Sequence, residues 1–147
     1  MQTSQLLDLI NRSNGEVRLT KRRGLSIENI REIEKKLGIE LPEELLQFYS
    51  ISNGIQGDHW LFNIIPFDEV TKDFDHEGEY IVFAEYMIYS ETCGLEIDPS
   101  NKNNYKIFND RSASSQKIIR RKYVANSILD FIQLYLQQGT FGIWTDD

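Results

Sequence analysis

The sequence predicts an α+β fold: a mostly antiparallel sheet of about five to six strands, with N-terminal helices and one C-terminal helix packed on it. Residues 3–54 contain residues that begin and end helices, residues 59–124 are rich in strand formers, and a last helical pattern follows Ser127. Strands that follow one another with short links favour antiparallel pairing. Helices that precede and follow the strands, rather than alternate with them, favour helices on one face of the sheet.

The first element is a short helix over residues 3–12, which Asn14-Gly15 ends. The polar and basic residues 16–24 are predicted to be loop or a short edge strand. A firmer helix begins after Ser26, whose hydroxyl can accept a hydrogen bond from a free backbone N–H. Gly38 can take the left-handed conformation that ends this helix. Its predicted apolar face consists of Ile27, Ile30, Ile33 and Leu37.

A third helix is predicted from the stretch LPEELLQFYSISNG. Pro42 is assigned to the first helical position, where its missing N–H costs nothing. Glu43 and Glu44 then lie in the first turn, where the helix dipole favours negative charge. Asn53-Gly54 ends the helix. Its apolar face is Leu45, Leu46, Phe48 and Tyr49.

Five runs of strand formers follow, at residues 59–67, 80–91, 94–98, 104–109 and 117–124. Turn-forming residues separate them at 75–78, 92–94, 98–101 and 109–115. Most aromatic side chains in these runs are predicted to be core, and a few to lie on an exposed face.

The C-terminal helix is predicted to begin near Ser127, with Asp130 completing a partial capping box, and to end at Gly139. Its apolar face is Ile128, Phe131, Ile132, Tyr135 and Leu136. The tail after it either packs through Phe141 and Trp144 or frays.

The length of 147 residues fits a single domain over 1–147, and a domain of this size buries roughly 68% of its unfolded surface. The single cysteine, Cys93, forms no internal disulfide, which favours a reducing compartment. The first residues lack a signal-peptide pattern, and no apolar run approaches the roughly 20 residues that span a bilayer. We therefore expect a soluble, cytoplasmic protein.

The formal net charge of -7 disfavours binding to nucleic acid or to an anionic membrane. The charge is also unevenly distributed. Residues 68–85 carry the acids Asp68, Glu69, Asp73, Asp75, Glu77, Glu79 and Glu85. Residues 102–123 carry the bases Lys102, Lys106, Arg111, Lys117, Arg120, Arg121 and Lys122. The two segments either face each other as solvated edges, which we slightly favour, or the acids steer a basic partner.

No motif predicts catalysis, a cofactor or a metal. The string DFDHEGEY begins like a calcium loop, but Ala84 stands where a bidentate glutamate is required. Two histidines are too few for most zinc sites. A mixed metal site of Asp75, His76 and Glu77 is an alternative, and an enzyme or metal-binding protein that uses residues 73–79 is the weakest hypothesis. Cys93 is predicted to be a structural thiol in a turn. The sequence has no nucleophile elbow and no phosphate-binding fingerprint.

Several motifs, in order, resemble the SUKH superfamily over about residues 25–138. They are the helix ending at Gly38, the Leu-Pro link, the Asn-Gly stop, the strand IIPFDEV, the strand FAEYMIYS and the closing helix VANSILDFIQLYL. The positions that carry the resemblance are Gly38, Leu41, Pro42, Phe48, Asn53, Gly54, Pro66, Phe67, Phe83, Ser127 and Phe131.

The superfamily includes bacterial toxin-immunity proteins and yeast cell-wall assembly regulator domains. The resemblance implies a non-catalytic domain that binds and neutralises a cognate toxin, often a nuclease. Such toxins are usually basic, so an acidic inhibitor would associate quickly. We therefore expect partner binding through an acidic, aromatic-bearing surface that contains Asp68, Glu69, Asp73, Asp75, Glu77, Glu79 and Glu85. The alternative is a regulatory or scaffold module.

Overall fold

A computed structural model describes residues 3–12, 19–57, 62–87, 91–109, 121–139 and Ile143. Within these residues the chain forms four α-helices and eight strands. In chain order they are α1 (Thr3–Arg12), β1 (Leu19–Lys21), α2 (Ile27–Leu37), α3 (Glu43–Ile51), β2 (Ile55–Gly57), β3 (Phe62–Ile64), a 3-10 turn (Phe67–Glu69), β4 (Thr71–Asp75), β5 (Gly78–Tyr86), β6 (Glu91–Asp98), β7 (Asn101–Asn109), β8 (Lys122–Ala125) and α4 (Ile128–Gln138).

The strands form one antiparallel sheet in the order β1-β2-β3-β5-β6-β7-β8, with β4 attached to β5. This confirms the predicted α+β class. The described strands number eight rather than five to six, because the sequence patterns do not reveal β2 or β4 and predict β1 only as a loop or a short edge strand. β3 pairs with the end of β5 and β4 with its beginning, so the two short strands share one edge of β5.

The predicted caps of α2 are confirmed. The Ser26 hydroxyl accepts a hydrogen bond from the Asn29 N–H at 3.2 Å. Gly38 ends the helix with φ 68°, and its N–H donates to the carbonyl groups of Glu34 and Lys35. Ile30 is buried. Ile27, in contrast, is 46% exposed, because it lies in the first turn at the margin of the apolar stripe.

Helix α3 begins one residue later than predicted, at Glu43, and Pro42 is its N-cap with ψ 147°. A proline side chain cannot cap a helix, and the Glu43 N–H instead donates to Asn103 Oδ1 at 2.9 Å. The assignment of Pro42 to the first helical position is therefore wrong by one residue. The preset φ of proline suits both positions, and a side chain from β7 satisfies the free N–H.

Helix α4 covers one face of the sheet through its aromatic residues. Tyr135 stacks on Phe62 with 4.0 Å between ring centroids, and Phe131 lies 5.3 Å from Phe83. The predicted caps are confirmed: Ser127 accepts from the Asp130 N–H at 3.1 Å, and the Gly139 N–H bonds to the Tyr135 carbonyl. The core therefore lies between α4, α3 and this face.

Residues 92–94 were predicted to be a turn and instead lie inside β6. Gly94 is needed there because a Cβ would lie 2.4 Å from the Phe108 ring and 2.8 Å from the Tyr80 ring. Cys93 is fully buried in the same strand rather than in a turn. Gly94 allows close packing between neighbouring strands, and a prediction based on turn-forming residues cannot detect this role.

The predicted stop at Asn14-Gly15 and the tail residues Phe141 and Trp144 lie outside the described residues. Ile143 is described and buried, and its carbonyl accepts a hydrogen bond from Asn109 Nδ2 at 3.1 Å. In the described part of the chain, no helix combines the length and apolarity that crossing a bilayer requires.

Candidate functional site: an acidic hairpin

The string DFDHEGEY forms the tip of the β4–β5 hairpin. Asp75 and Gly78 face each other across the strands, and the turn between them is closed by a hydrogen bond from the Glu77 N–H to Asp75 Oδ1 at 2.8 Å. Nearly every residue of β4 is exposed. β4 and the tip therefore present their side chains to solvent, whereas residues 80–85 of β5 are buried.

Five of the seven predicted acids are exposed on one contiguous segment, residues 68–79. Asp68 and Glu69 lie in the 3-10 turn directly before β4. The other three belong to the hairpin and are Asp73, Glu77 and Glu79. The exposed acids of this segment are called the acidic segment below, and their carboxylates are accessible to a partner.

Glu85 does not join the acidic segment. It is 6% exposed and lies toward the other end of β5, where one carboxylate oxygen accepts from Asn63 Nδ2 at 3.2 Å. Asn63 in turn accepts from Arg22 Nη2 at 2.9 Å. Glu85 thus belongs to a polar cluster with β3 and the residue after β1, separate from the hairpin tip.

Asp75 is also inaccessible, because Arg121 binds it. Arg121 Nη2 lies 2.7 Å from Asp75 Oδ1 and Nε lies 2.8 Å from Asp75 Oδ2. The Arg121 side chain is 2% exposed and that of Asp75 is 7% exposed. The acidic and basic segments therefore do pair internally at this point.

Arg121 uses its remaining donors on the same region. Nη1 donates to Glu96 at 2.6 Å, Nη2 also donates to the Gly78 carbonyl at 2.8 Å, and the Arg121 N–H donates to Glu77 at 2.9 Å. The guanidinium lies over the rings of Phe108 and Tyr80, with 4.5 and 5.3 Å to their centroids. This single side chain ties the hairpin tip to β6, β7 and the start of β8.

These contacts shift the pKa values of both groups. Burial alone would raise the pKa of Asp75, but the hydrogen bonds from Arg121 and from the Glu77 N–H, together with the positive charge of Arg121, outweigh burial and hold that pKa below its ordinary value. Burial would lower the pKa of Arg121, and the hydrogen bonds from Asp75 and Glu96 raise it instead. Both groups are therefore charged at neutral pH. The sequence placed Arg121 among solvated bases, and no local pattern marked it as buried.

The other described bases leave the acidic segment largely unneutralised. Lys72 Nζ lies 3.8 Å from Glu79, and both side chains are well exposed. Lys102 pairs with Glu43 at 3.8 Å, and Lys106 lies over the Tyr123 ring at 5.1 Å. Exposed pairs of this kind stabilise a fold little and are readily exchanged for a partner's charge.

An exposed aromatic side chain accompanies the acids. Phe74, in β4, is 77% exposed, and no local pattern distinguishes this ring from the aromatic residues predicted to be core. An apolar recess of about 110 Å³, lined in part by Ile39, Ile81 and Ile97, lies beside Lys72 and Glu79. Aromatic side chains amid polar ones are typical of protein-binding surfaces.

A second, polar groove of about 620 Å³ lies between the hairpin and the β6–β7 turn. Glu77, Glu96 and Arg121 contribute to its wall. Both oxygens of Asp75 accept from Arg121, which leaves this carboxylate poorly suited to a metal. Across the described ranges, no three His, Cys, Asp or Glu residues are grouped to hold a metal ion.

A profile of the SMI1 / KNR4 family (SUKH-1) matches residues 24–134, which is well over half of the chain. The chain belongs to this family. The resemblance drawn from the sequence motifs is thereby confirmed. A comparison with curated proteins found no match.

In this SUKH-1 chain the motif residues hold the acidic segment in place. Asn53 Oδ1 accepts from the Phe67 N–H at 2.8 Å, and Asn53 Nδ2 donates to Asp68 at 3.1 Å. Gly54 has φ 87°, and a Cβ there would lie 2.4 Å from the Ile64 carbonyl oxygen. The Asn-Gly stop of α3 thus fixes the 3-10 turn that leads into β4. The motif positions Leu41, Phe48, Phe67, Phe83 and Phe131 are buried.

Glu34 is a structural residue that the sequence reading missed. It is 5% exposed, although it lies on a helix rich in solvated charges. Its Oε2 accepts from the buried Leu41 N–H at 2.7 Å, and its Oε1 pairs with Arg31 at 2.8 Å. One signal was available: position 34 follows Ile30 by four residues and so shares its buried face.

Proposed function

We propose that this SUKH-1 protein is an immunity protein that binds and neutralises a cognate toxin through the acidic segment. The proposal gives it a binding role with no reaction of its own. The observation that carries it is the run of exposed acids at residues 68–79, beside an exposed Phe74, in a chain of this family.

The charge of the segment points to the chemistry of the partner. Exposed acids that are weakly paired attract a basic surface over long range and raise the association rate. An enzyme that cleaves nucleic acid carries such a surface, because it must bind phosphate. We therefore propose a basic, nuclease-type toxin, met in the cytoplasm where the buried thiol of Cys93 stays reduced.

Neutralisation is tested by co-expressing the protein with a toxin encoded by a neighbouring gene and measuring cell growth. The test variant combines Glu69→Gln, Asp73→Asn and Glu79→Gln, all at exposed positions. The matched control removes the same charge from exposed residues around α2, with Glu28→Gln, Glu32→Gln and Glu40→Gln.

We expect the test variant to associate with the toxin about tenfold more slowly than the control variant at low salt. The difference in association rate should shrink at high salt. Growth protection should weaken in parallel. Equal association rates for the two variants would reject the acidic segment as the binding surface. A protein that protects against no neighbouring toxin, and binds only non-toxic proteins, would instead be a regulatory or scaffold module.

A further inference from the structure

We infer that β4 is a docking strand: an extended basic segment of the partner protein adds to the sheet along its open edge, with Phe74 as the anchor. The inference rests on the proposed function, because it takes the hairpin as the surface that faces the partner. It goes further by naming the backbone edge and the anchoring side chain.

The pairing of β4 leaves one edge open. All five of its residues pair with β5, from Thr71 opposite Val82 to Asp75 opposite Gly78. Among the described strands, β4 has no partner on its other side. In an antiparallel strand, the backbone groups that do not bond to one neighbour point away from it. In β4 the Phe74 N–H already donates to Asp73 Oδ1 at 2.8 Å, so an added strand has to displace this local contact. An extended peptide can pair with such an edge, as in strand addition to other sheets.

Phe74 distinguishes the edge of β4 from sheet edges that are protected against pairing with another strand. Proteins blunt exposed edges with charges, and Lys72 and Asp73 fit that pattern. Phe74 interrupts it with a large apolar side chain that is 77% exposed. Cross-strand, Phe74 faces Glu79, which is itself 76% exposed. A long cationic side chain on an added strand would contact the Phe74 ring and reach across it toward Glu79, whose carboxylate lies 3.8 Å from Lys72 Nζ.

An aromatic ring beside a carboxylate favours binding of a cation. The protein contains one such arrangement internally. Arg121 is held by carboxylates while its guanidinium lies over the rings of Phe108 and Tyr80. Arginine side chains on an added strand would find the same two chemistries, aromatic ring and carboxylate, at Phe74 and Glu79. The partner segment should therefore be basic, with apolar residues at alternate positions.

A second copy of the chain fits this edge poorly. Antiparallel self-pairing centred on Asp73 would place the two copies of Asp73 directly opposite each other, and like charges in that position are destabilising. The formal net charge of -7 on each copy adds long-range repulsion. Charge thus favours a basic partner over a homodimer.

The test uses the full chain and two synthetic hexapeptides, one alternating Arg and Val and the other alternating Glu and Val. Amide hydrogen exchange and chemical shifts are followed by NMR as each peptide is added. We expect the Arg-Val peptide to slow exchange about tenfold at saturation at the amides of residues 71–75 that do not bond to β5, and the Glu-Val peptide to leave it unchanged. Phe74→Ala should weaken binding of the Arg-Val peptide about tenfold. The matched control, Ile27→Ala, truncates an exposed side chain on α2 and should leave binding unchanged.

Any of three results would overturn the docking strand: binding without protection at 71–75, equal binding of both peptides, or equal binding by Phe74→Ala. A dimer in sedimentation that Phe74→Ala dissociates would also overturn it, since a second copy would then cover the edge.

The proposed function can fail separately. If Phe74→Ala protects cells from the toxin as well as the unsubstituted protein does, only the docking strand is rejected. If no toxin is neutralised but β4 still takes the peptide, only the immunity role is rejected.

Discussion

Arg121 and Asp75 are joined by two parallel hydrogen bonds, with 2.7 Å between Nη2 and Oδ1 and 2.8 Å between Nε and Oδ2. Both side chains are almost fully buried. Planar pairing of this kind fixes orientation as well as distance. Because the two residues lie 46 positions apart in the chain, the pair holds the tip of the acidic hairpin against the start of β8.

Replacing Arg121 with Met keeps most of its packing on Phe108 and Tyr80 but removes the charge. Asp75 then remains buried without a counterion, which typically costs about 3–5 kcal/mol. We expect Arg121→Met to lower the free energy of unfolding by about this amount in urea denaturation. The control is the double variant Arg121→Met with Asp75→Asn, which removes both charges and should be more stable than the sum of the single losses predicts. Strictly additive losses would show that the pair is not coupled.

The lowered pKa of Asp75 makes stability depend on pH in the acid range. Its folded-state pKa lies below its unfolded value of about 3.9. Between the folded-state pKa and the unfolded-state pKa, the unfolded protein binds more protons than the folded protein. The contribution of Asp75 to the free energy of unfolding is therefore present above about pH 4 and is lost as the pH falls through the folded-state pKa. Unfolding free energies measured from pH 6 down to pH 2 should drop more steeply for the unsubstituted protein than for Asp75→Asn. Parallel curves would contradict the shift.

The sequence predicted the helices well because their ends carry local signals. Ser26, Gly38, Ser127 and Gly139 act through hydrogen bonds and backbone angles within a few residues of themselves. The hairpin strand β4 carries no such signal. Both of its faces are exposed, so it lacks the alternation of apolar and polar residues that reveals a strand.

The candidate site was predicted by composition but not by geometry. Charge alone picked out the acids, and it could not separate the exposed Asp73 from Asp75 and Glu85, which are largely buried. That difference is set by long-range partners: Arg121 for Asp75 and the Asn63–Arg22 cluster for Glu85. A residue 46 positions away leaves no trace in a local pattern.

Removing the Glu34 side chain should destabilise the corner between α2 and α3. In Glu34→Ala the buried Leu41 N–H loses its acceptor, and a buried unsatisfied donor costs about 1–3 kcal/mol. Glu34→Gln keeps an acceptor oxygen and should lose less. Glu32→Ala, at an exposed position of the same helix, should change stability by no more than about 0.5 kcal/mol. Thermal and urea unfolding of the three variants gives the comparison, and equal losses for Glu32→Ala and Glu34→Ala would contradict the role of Glu34.

Gly54→Ala should be more damaging than Gly78→Ala, although both glycines have positive φ, 87° and 125°. Backbone strain of this kind costs each variant about 1–3 kcal/mol. At Gly54 the new Cβ would also lie 2.4 Å from the Ile64 carbonyl oxygen, whereas at Gly78 it meets nothing within 4 Å. The extra contact should displace the 3-10 turn that Asn53 holds, so NMR shifts at Phe67 and Asp68 should change in Gly54→Ala only. Equal unfolding free energies for the two variants, with unshifted signals at these residues, would show that the Asn-Gly stop does not position the acidic segment.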